Sequence, residues 1–196
     1  GLLTEDEKAW RRALHDGVIA DTASPASRAS LVGDLPAPSE QEGGLELNFR
    51  ADPAAYDGRF ANNGWLQELP RPITSLTWDN AALMSKATAD KLGINTERGA
   101  RSIEKAPTIK ISKGERSVDL PVLVAPGHAP ESITVTLGYG REHGGQVAAE
   151  DGNPVGMDVN VLRTTDASWT QASVSAERTG RIHLLASTQH HPTVQE

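Results

Sequence analysis

The amino-acid sequence predicts a mainly β domain with short helices, in which the strands close into a barrel more readily than they form an open sheet. Three observations indicate this fold class. The chain of 196 residues contains 18 glycines and 12 prolines, so it turns often. Seven or more short segments alternate apolar and polar side chains or are uniformly apolar, as strands do. Only two short segments carry the caps and spacing of a helix.

Length and composition exclude several classes of function. A chain of this length predicts one domain with a sizeable core. The formal net charge is −7 and no basic cluster is present, so nucleic acid is not an expected partner. No apolar run approaches the roughly 18 residues that span a bilayer, so direct membrane insertion is not expected. The chain has no cysteine, which excludes disulfides, thiolate catalysis and cysteine-bound zinc or iron–sulfur clusters within it.

Residues 1–56 are predicted to form a helix and an extended connection that pack on the barrel. The helix is expected from Glu5 to His15, because its first turn has capping-box spacing and a glycine follows it. From Ala20 to Gly44 the chain has three prolines and no sustained period, which is typical of a connection. Leu45 to Phe49 alternates apolar and polar side chains and is predicted to be a strand with its apolar residues on one face.

The barrel itself is expected to span residues 57–196, and its first part, residues 57–80, is the stretch we call the entry loop. The entry loop holds two of the four tryptophans, two adjacent asparagines before a glycine, and two prolines that forbid a continuous helix. One interpretation is that Trp65 and the nearby leucines plug a barrel end while the asparagines satisfy backbone groups. The other is that the amides and Glu68 face a cofactor or a partner subunit.

Downstream of the entry loop the pattern predicts strands, one helix and two long connections. The helix is capped by Ser85 and closed by Gly93. Residues 95–107 are expected to be an exposed excursion, and the glycine-rich residues 138–156, which we call the glycine loop, have no period. The predicted strands are 75–78, 82–84, 108–111, 118–124, 133–137, 159–163, 171–176 and 181–186.

The glycine loop begins with a run that departs from the dinucleotide-binding spacing, because its third glycine comes one residue late and another glycine follows. Gly138 and Gly140 would let the backbone approach a ligand or a neighbouring loop, and Arg141 could meet a phosphate or a carboxylate. The alternative is that Tyr139 is packed and Arg141 bridges loops. The sequence contains no set of nucleophile, base and orienting group, so this segment alone is not expected to be catalytic.

The histidines do not predict a metal site. His183, His190 and His191 are expected in a solvated tail, because adjacent imidazoles on an extended chain point to opposite sides and no carboxylate is suitably spaced. His128 lies in a predicted connection between two strands, and we expect it to make a loop-stabilising hydrogen bond rather than to transfer protons.

Several runs of the sequence resemble one known family. The longest is Asp57 to Pro70, DGRFANNGWLQELP. Shorter runs follow in order at 76–82, 89–94, 121–122, 126–129 and 136–141, with further similarity at 10–19 and 185–191. Together they resemble the molybdopterin oxidoreductase-like subunits of alternative complex III, a quinol-oxidising membrane assembly, whose Tat-type precursors carry an iron–sulfur half. The resemblance implies a double-psi β-barrel, the molybdopterin-dinucleotide-binding-like C-terminal region of a longer polypeptide.

In molybdopterin enzymes this barrel caps the cofactor, and the resemblance implies which loops would face the ancestral cleft here. The candidate residues are Asn62, Asn63, Gly64, Trp65, Gln67, Glu68, His128, Gly138, Tyr139, Gly140 and Arg141. The subunits that the sequence resembles have, as a group, lost the molybdenum cofactor. The expectation is therefore that this segment holds no cofactor, or molybdopterin guanine dinucleotide if the ancestral site is retained. No residue can be assigned as a molybdenum ligand.

The resemblance implies a structural and assembly role in a respiratory electron-transfer subunit, with no redox centre in this segment. Its partners would be the remainder of its own polypeptide, including an iron–sulfur module, and other subunits of a membrane respiratory complex. Its place would be the periplasmic face of the bacterial inner membrane, as a peripheral subunit. Two alternatives stay open. The first is a true molybdopterin-guanine-dinucleotide-binding lobe with an electropositive pocket around Arg141 and Asn62. The second is a stand-alone protein-binding barrel.

Overall fold

The computed structural model describes residues 7–30, 33, 43–94, 105–150 and 152–187, and the chain forms two compact units, 1–39 and 40–196. In chain order the elements are α1 (Glu7–Asp16), β1 (Leu45–Arg50), α2 (Gly64–Glu68), β2 (Leu76–Thr77), β3 (Ala82–Met84), α3 (Lys86–Lys91), β4 (Ala106–Lys113), β5 (Arg116–Val124), β6 (Ser132–Thr136), β7 (Ala149–Glu150), β8 (Asn153–Pro154), a 3₁₀ helix (Val159–Leu162), β9 (Thr170–His183) and β10 (Ala186–Ser187).

The first unit contains α1, which confirms the predicted N-terminal helix from Glu7 onward. The expected start of that helix at Glu5 lies outside the described residues. An ion pair between Glu7 and Arg11, one helical turn apart, supports the first turns. No residue of α1 is buried.

The second unit is a closed barrel of six strands in the order β1-β6-β3-β5-β4-β9, which confirms the prediction of a mainly β barrel. The pairs β1–β6 and β3–β5 are parallel, and the other four pairs are antiparallel. The first barrel strand, β1, lies upstream of residue 57. Two small sheets, β2 with β10 and β7 with β8, lie outside the barrel.

The barrel core is built from the inward-facing residues of the strands. In β1, Leu47 and Phe49 are buried while Asn48 between them is only half-buried, as the alternation predicted. The same pattern in β4 buries Ile109 and Ile111. Other members of this core are Met84, Leu120, Val122, Ile133, Val135, Leu137, Val159, Leu162 and Val174.

Several predictions of local structure were wrong. The glycine loop contains the paired strands β7 and β8, and the last residues of the expected excursion at 95–107 belong to β4, which begins at Ala106, while 95–104 lie outside the described residues. Residues 159–162 form a 3₁₀ helix rather than a strand, because the Asp158 carboxylate accepts from Asn160 N at 2.9 Å and caps a helical turn. The two strands predicted at 171–176 and 181–186 are one long strand, β9, whose register against β1 and β4 shifts through irregularities. Part of the entry loop forms α2, because Asn63 caps a single helical turn before the prolines. Within the described ranges, no helix combines the length and apolar character needed to cross a bilayer.

Candidate functional site

The strand directions bring the entry loop and the glycine loop to the same end of the barrel. The carboxyl ends of the parallel neighbours β1 and β6 share one end, and β3, which is antiparallel to β6, begins there. The entry loop follows β1 and leads to β3, and the glycine loop follows β6. Most of the candidate residues therefore lie in loops at this one end of the barrel.

His128 is the exception. It lies between β5 and β6, and β5 runs parallel to β3, so this connection is at the opposite end of the barrel. Its Nε2 bonds Thr134 Oγ1 at 2.9 Å, and its Nδ1 lies 3.1 Å from the carbonyl of Ala129. These are the loop hydrogen bonds expected of His128, and the structure does not bring it to the other candidates.

The two loops touch through glycines. A Cβ on Gly138, where φ is 100°, would lie 2.9 Å from Gly58 N and 3.1 Å from Tyr56 O. The guanidinium of Arg141 lies against Gly58, since a Cβ on Gly58 would come within 2.6 Å of its nitrogens. The glycines thus serve close approach of one loop to the other. Arg141 of the glycine loop packs against Gly58 of the entry loop, and Tyr139 is buried.

The two asparagines bond backbone groups inside the site. Asn63 Oδ1 accepts from Leu66 N at 3.2 Å and caps α2. Asn62 Oδ1 accepts from Val147 N at 3.0 Å and from Ala148 N at 3.4 Å, which ties the entry loop to the glycine loop. This arrangement confirms the prediction that the asparagines satisfy backbone groups.

A buried ion pair, which sequence reasoning missed, anchors the start of this region. Asp52 accepts from Ala54 N at 2.8 Å and from Ala55 N at 2.9 Å, and its carboxylate lies 3.2 Å from Arg71 Nε. Asp52 is 2 % exposed and Arg71 is 6 % exposed. The signals available in the sequence were Asp52 before a proline, which favours a turn, and Arg71 between two prolines.

Arg71 also connects the barrel end to both loops. Its Nη1 donates to the carbonyls of Gln67 at 3.1 Å and Leu69 at 3.0 Å, and its Nη2 donates to the Tyr139 hydroxyl. Gln67, the buried residue of α2, donates through Nε2 to Ala61 O at 3.0 Å, and its Oε1 has no hydrogen-bond partner among the described residues. A polar network therefore occupies the place where the tryptophan plug was expected.

Trp65 lies outside this network. Its side chain is 88 % exposed and Leu69 is 55 % exposed, so the interpretation that they plug a barrel end was wrong. The physical reason is the single turn of α2, which can bury only one side. Gln67 takes that side, and its amide donates to the carbonyl of Ala61 at 3.0 Å.

An open cleft of about 420 Å³ lies beside the glycine loop. Its lining residues are Lys110, Ser117, Val118, Asp119, Gly140, Pro154, Gly156, Met157 and Asp158. Gly140 is the one candidate residue on it, and neither Arg141 nor Asn62 lines it. The lining of the cleft carries one positive side chain, Lys110, and two carboxylates, Asp119 and Asp158. Asp119 forms an ion pair with Arg181.

A second polar pair was also missed. His183 Nε2 lies 2.5 Å from Asp79 Oδ2. The prediction that His183 belongs to a solvated tail without a nearby carboxylate was therefore wrong. Burial raises the pKa of Asp79, and the hydrogen bond from His183 opposes that shift. His190 and His191 lie outside the described residues. In the part of the chain that the structure describes, no three His, Cys, Asp or Glu residues are grouped to hold a metal ion.

Comparison with known proteins adds no relative. No protein-family model matches the chain. No curated protein matches it either. The function has to be argued from the barrel and its loops.

Proposed function

We propose that this chain is a structural and assembly domain of a respiratory molybdopterin oxidoreductase-like electron-transfer subunit, with no redox centre of its own. One observation carries the proposal: the two adjacent asparagines of the entry loop bond backbone amides of the chain itself. Asn62 and Asn63 bond backbone amides, and Arg141 covers Gly58. Loops that faced a cofactor would keep such groups free for it.

The barrel belongs, in this proposal, to the double-psi type. The support is its strand order, in which β6 lies between the earlier strands β1 and β3 and runs parallel to β1. The partners are the remainder of the same polypeptide, including an iron–sulfur module, and other subunits of a membrane respiratory complex. The site of action is the periplasmic face of the bacterial inner membrane.

A specific observation favours a second candidate, a molybdopterin-guanine-dinucleotide-binding lobe. Gly140, Gly156 and Lys110 line the cleft beside the glycine loop, although the Gly140 amide already donates to Val155 O at 2.8 Å. Bare backbone with one cation is a familiar setting for a phosphate group. The adjoining carboxylates, Asp119 and Asp158, weigh against an anion there.

Calorimetric titration with guanosine monophosphate separates the two candidates. For a structural domain we expect no heat beyond that of dilution. Heat that disappears in Lys110→Ala and persists in the control Lys105→Ala, an exposed lysine away from the cleft lining, would establish the nucleotide-binding lobe instead.

The assembly role is tested in cells that make the natural protein. Asp52→Ala, which removes one half of the buried pair, is expected to reduce the amount of the assembled membrane complex on native gels. The control is Asp57→Ala, which removes the exposed ion pair with Arg59 and the hydrogen bond from the Arg59 backbone N–H. An unchanged level of the complex with Asp52→Ala, despite a measured loss of domain stability, would contradict an assembly role.

A further inference from the structure

Four large apolar side chains of the entry loop are exposed, and we call them the apolar ridge: Phe60 (48 %), Trp65 (88 %), Leu69 (55 %) and Ile73 (95 %). They lie in one stretch of 14 residues. Trp65 and Leu69 are one helical turn apart at α2 and its C-cap, so their exposed side chains are neighbours, and a contiguous exposed apolar patch is typical of an interaction site. Tryptophan is also among the residues that most often dominate the binding energy of protein interfaces.

Hydrogen bonds hold the apolar ridge in shape. Asn63 N donates to Phe60 O at 3.0 Å, and Leu69 N donates to Trp65 O at 3.1 Å. The buried Arg71 then fixes the next turn, since its backbone N donates to Leu76 O at 3.0 Å and its carbonyl accepts from Ser75 N at 2.9 Å. A surface ordered before binding loses less conformational entropy when a partner docks.

The tip of the ridge is a strained turn. Thr74 N donates to Pro72 O at 2.8 Å, which closes a three-residue turn around Ile73. Ile73 has a φ of 72°, a rare conformation for a β-branched residue. Its side chain is almost fully exposed and gains nothing from burial. Strain that presents an apolar side chain to solvent is a mark of function rather than of folding.

The charges around the ridge indicate what covers it. Asp57 pairs with Arg59, and Asp52 pairs with Arg71. Glu68, at the end of α2 between Trp65 and Leu69, is exposed and has no partner among the described residues. A covering surface therefore needs an apolar centre and a cation placed to meet Glu68.

We propose that the apolar ridge is the docking surface for a different protein, whose surface is apolar at the centre and carries Lys or Arg at its edge. This inference rests on the proposed assembly function and names the chemistry of the partner. A second copy of this chain is disfavoured as the partner, because the two Glu68 carboxylates would lie at the same interface and both chains carry a net charge of −7.

The test uses a photo-cross-linking amino acid as the probe, placed at Leu69 of the full-length protein in cells that make it naturally. Mass spectrometry then locates the linked residue. The expected site is an apolar surface with an adjacent Lys or Arg. Glu68→Lys is expected to weaken the complex about tenfold or more, as for a central interface contact. Reversing the charge of the partner's cation is expected to restore it.

Matched controls are the cross-linker at Val161, an exposed apolar residue outside the entry loop, and the charge change Glu115→Lys in the β4–β5 turn. Neither is expected to capture or weaken the same complex. The inference is overturned by a link to a second copy, by a linked surface without a cation, by an unaffected complex in Glu68→Lys, or by no link at all. Nucleotide binding in the calorimetric test would contradict the proposed function while leaving these outcomes unchanged.

Discussion

At the scale of single residues, the buried pair of Asp52 and Arg71 does more for the site than any residue expected from the sequence. The carboxylate holds two backbone amides, and the guanidinium holds two carbonyls and the Tyr139 hydroxyl. A buried pair adds little compared with an apolar replacement of both partners, but removing one partner leaves an uncompensated charge. The pair therefore specifies the conformation of the loops.

Asp52→Ala is expected to lower the free energy of unfolding by about 3–5 kcal/mol, because Arg71 would remain buried without a counter-charge. Urea denaturation followed by circular dichroism measures the change. Asp57→Ala, in an exposed pair, should leave the urea midpoint unchanged. Equal midpoints for Asp52→Ala and the natural chain would show that the pair contributes nothing to the fold.

Ile73→Asn is expected to raise the free energy of unfolding by about 1 kcal/mol, because asparagine tolerates positive φ and no burial is lost. The melting temperature by calorimetry measures this effect. Thr74→Asn, one position further along the same turn, is the control and should bring no such gain. A lower melting temperature for Ile73→Asn would contradict the strain argued for this turn.

At the scale of elements, the glycine loop and the 3₁₀ helix that follows it are shaped by close backbone contact. Gly140 lies against the backbone of Asp158, so near that a Cβ would overlap it. Asn80 joins the end of β6 to the segment before the 3₁₀ helix, since its Nδ2 donates to Thr136 O at 3.1 Å and to Met157 O at 2.9 Å, and its Oδ1 accepts from Met157 N at 2.8 Å. The wall of the cleft is therefore a packed layer of backbone.

Gly140→Ala tests that packing against a matched glycine. Gly140 has a φ of 75° and Gly152 a φ of 80°, but nothing lies within 4 Å of a Cβ at Gly152. Both alanines carry the same backbone strain, and only Gly140→Ala adds overlap. We expect it to cost about 1–3 kcal/mol more in urea denaturation. Equal costs for the two variants would mean that the loop moves aside.

At the scale of the whole molecule, the barrel is closed by contacts between distant parts of the chain. β1 pairs with β9 and closes the barrel, and outside the barrel β2 pairs with β10 near the end of the described residues. The pair of Asp79 and His183 spans 104 positions of the sequence and supports the same closure. Because burial raises the pKa of Asp79, the carboxyl group of Asp79 holds its proton more tightly in the folded protein than in the unfolded chain.

The raised pKa of Asp79 determines how the stability of the protein depends on pH. A raised carboxyl pKa contributes stability below the ordinary value of 3.8, and this contribution is lost as pH rises through the folded pKa. Relative to Asp79→Asn, whose amide does not titrate, the natural chain should lose free energy of unfolding as pH rises above 3.8. Urea titrations at a series of pH values measure the difference.

His183→Ala tests whether His183 opposes the rise in the pKa of Asp79. The hydrogen bond and charge that lower the pKa of Asp79 are removed, so the loss should move to higher pH. A difference between the natural chain and Asp79→Asn that does not vary with pH would contradict the assigned shift.

The sequence by itself determined that the fold is mainly β and which residues of two strands face the core. Alternation in β1 and β4 identified the residues that face the core, because side chains on a strand alternate strictly between its faces. The cap of α3 at Ser85 was predicted from the sequence, whereas the cap of α2 at Asn63 was not, because Asn63-Gly64 was interpreted as a tight turn. The absence of cysteine also limited the chemistry that any structure could hold.

Only the tertiary structure decided what lies inside the barrel end. Trp65 is exposed because Gln67 and Arg71 fill the space beneath α2, and Arg71 finds Asp52 and Tyr139 at 19 and 68 positions along the chain. His183 was misplaced in the same way, since its carboxylate comes from a remote loop. Burial of a side chain depends on which distant groups compete for the same volume, and local sequence patterns do not contain that competition.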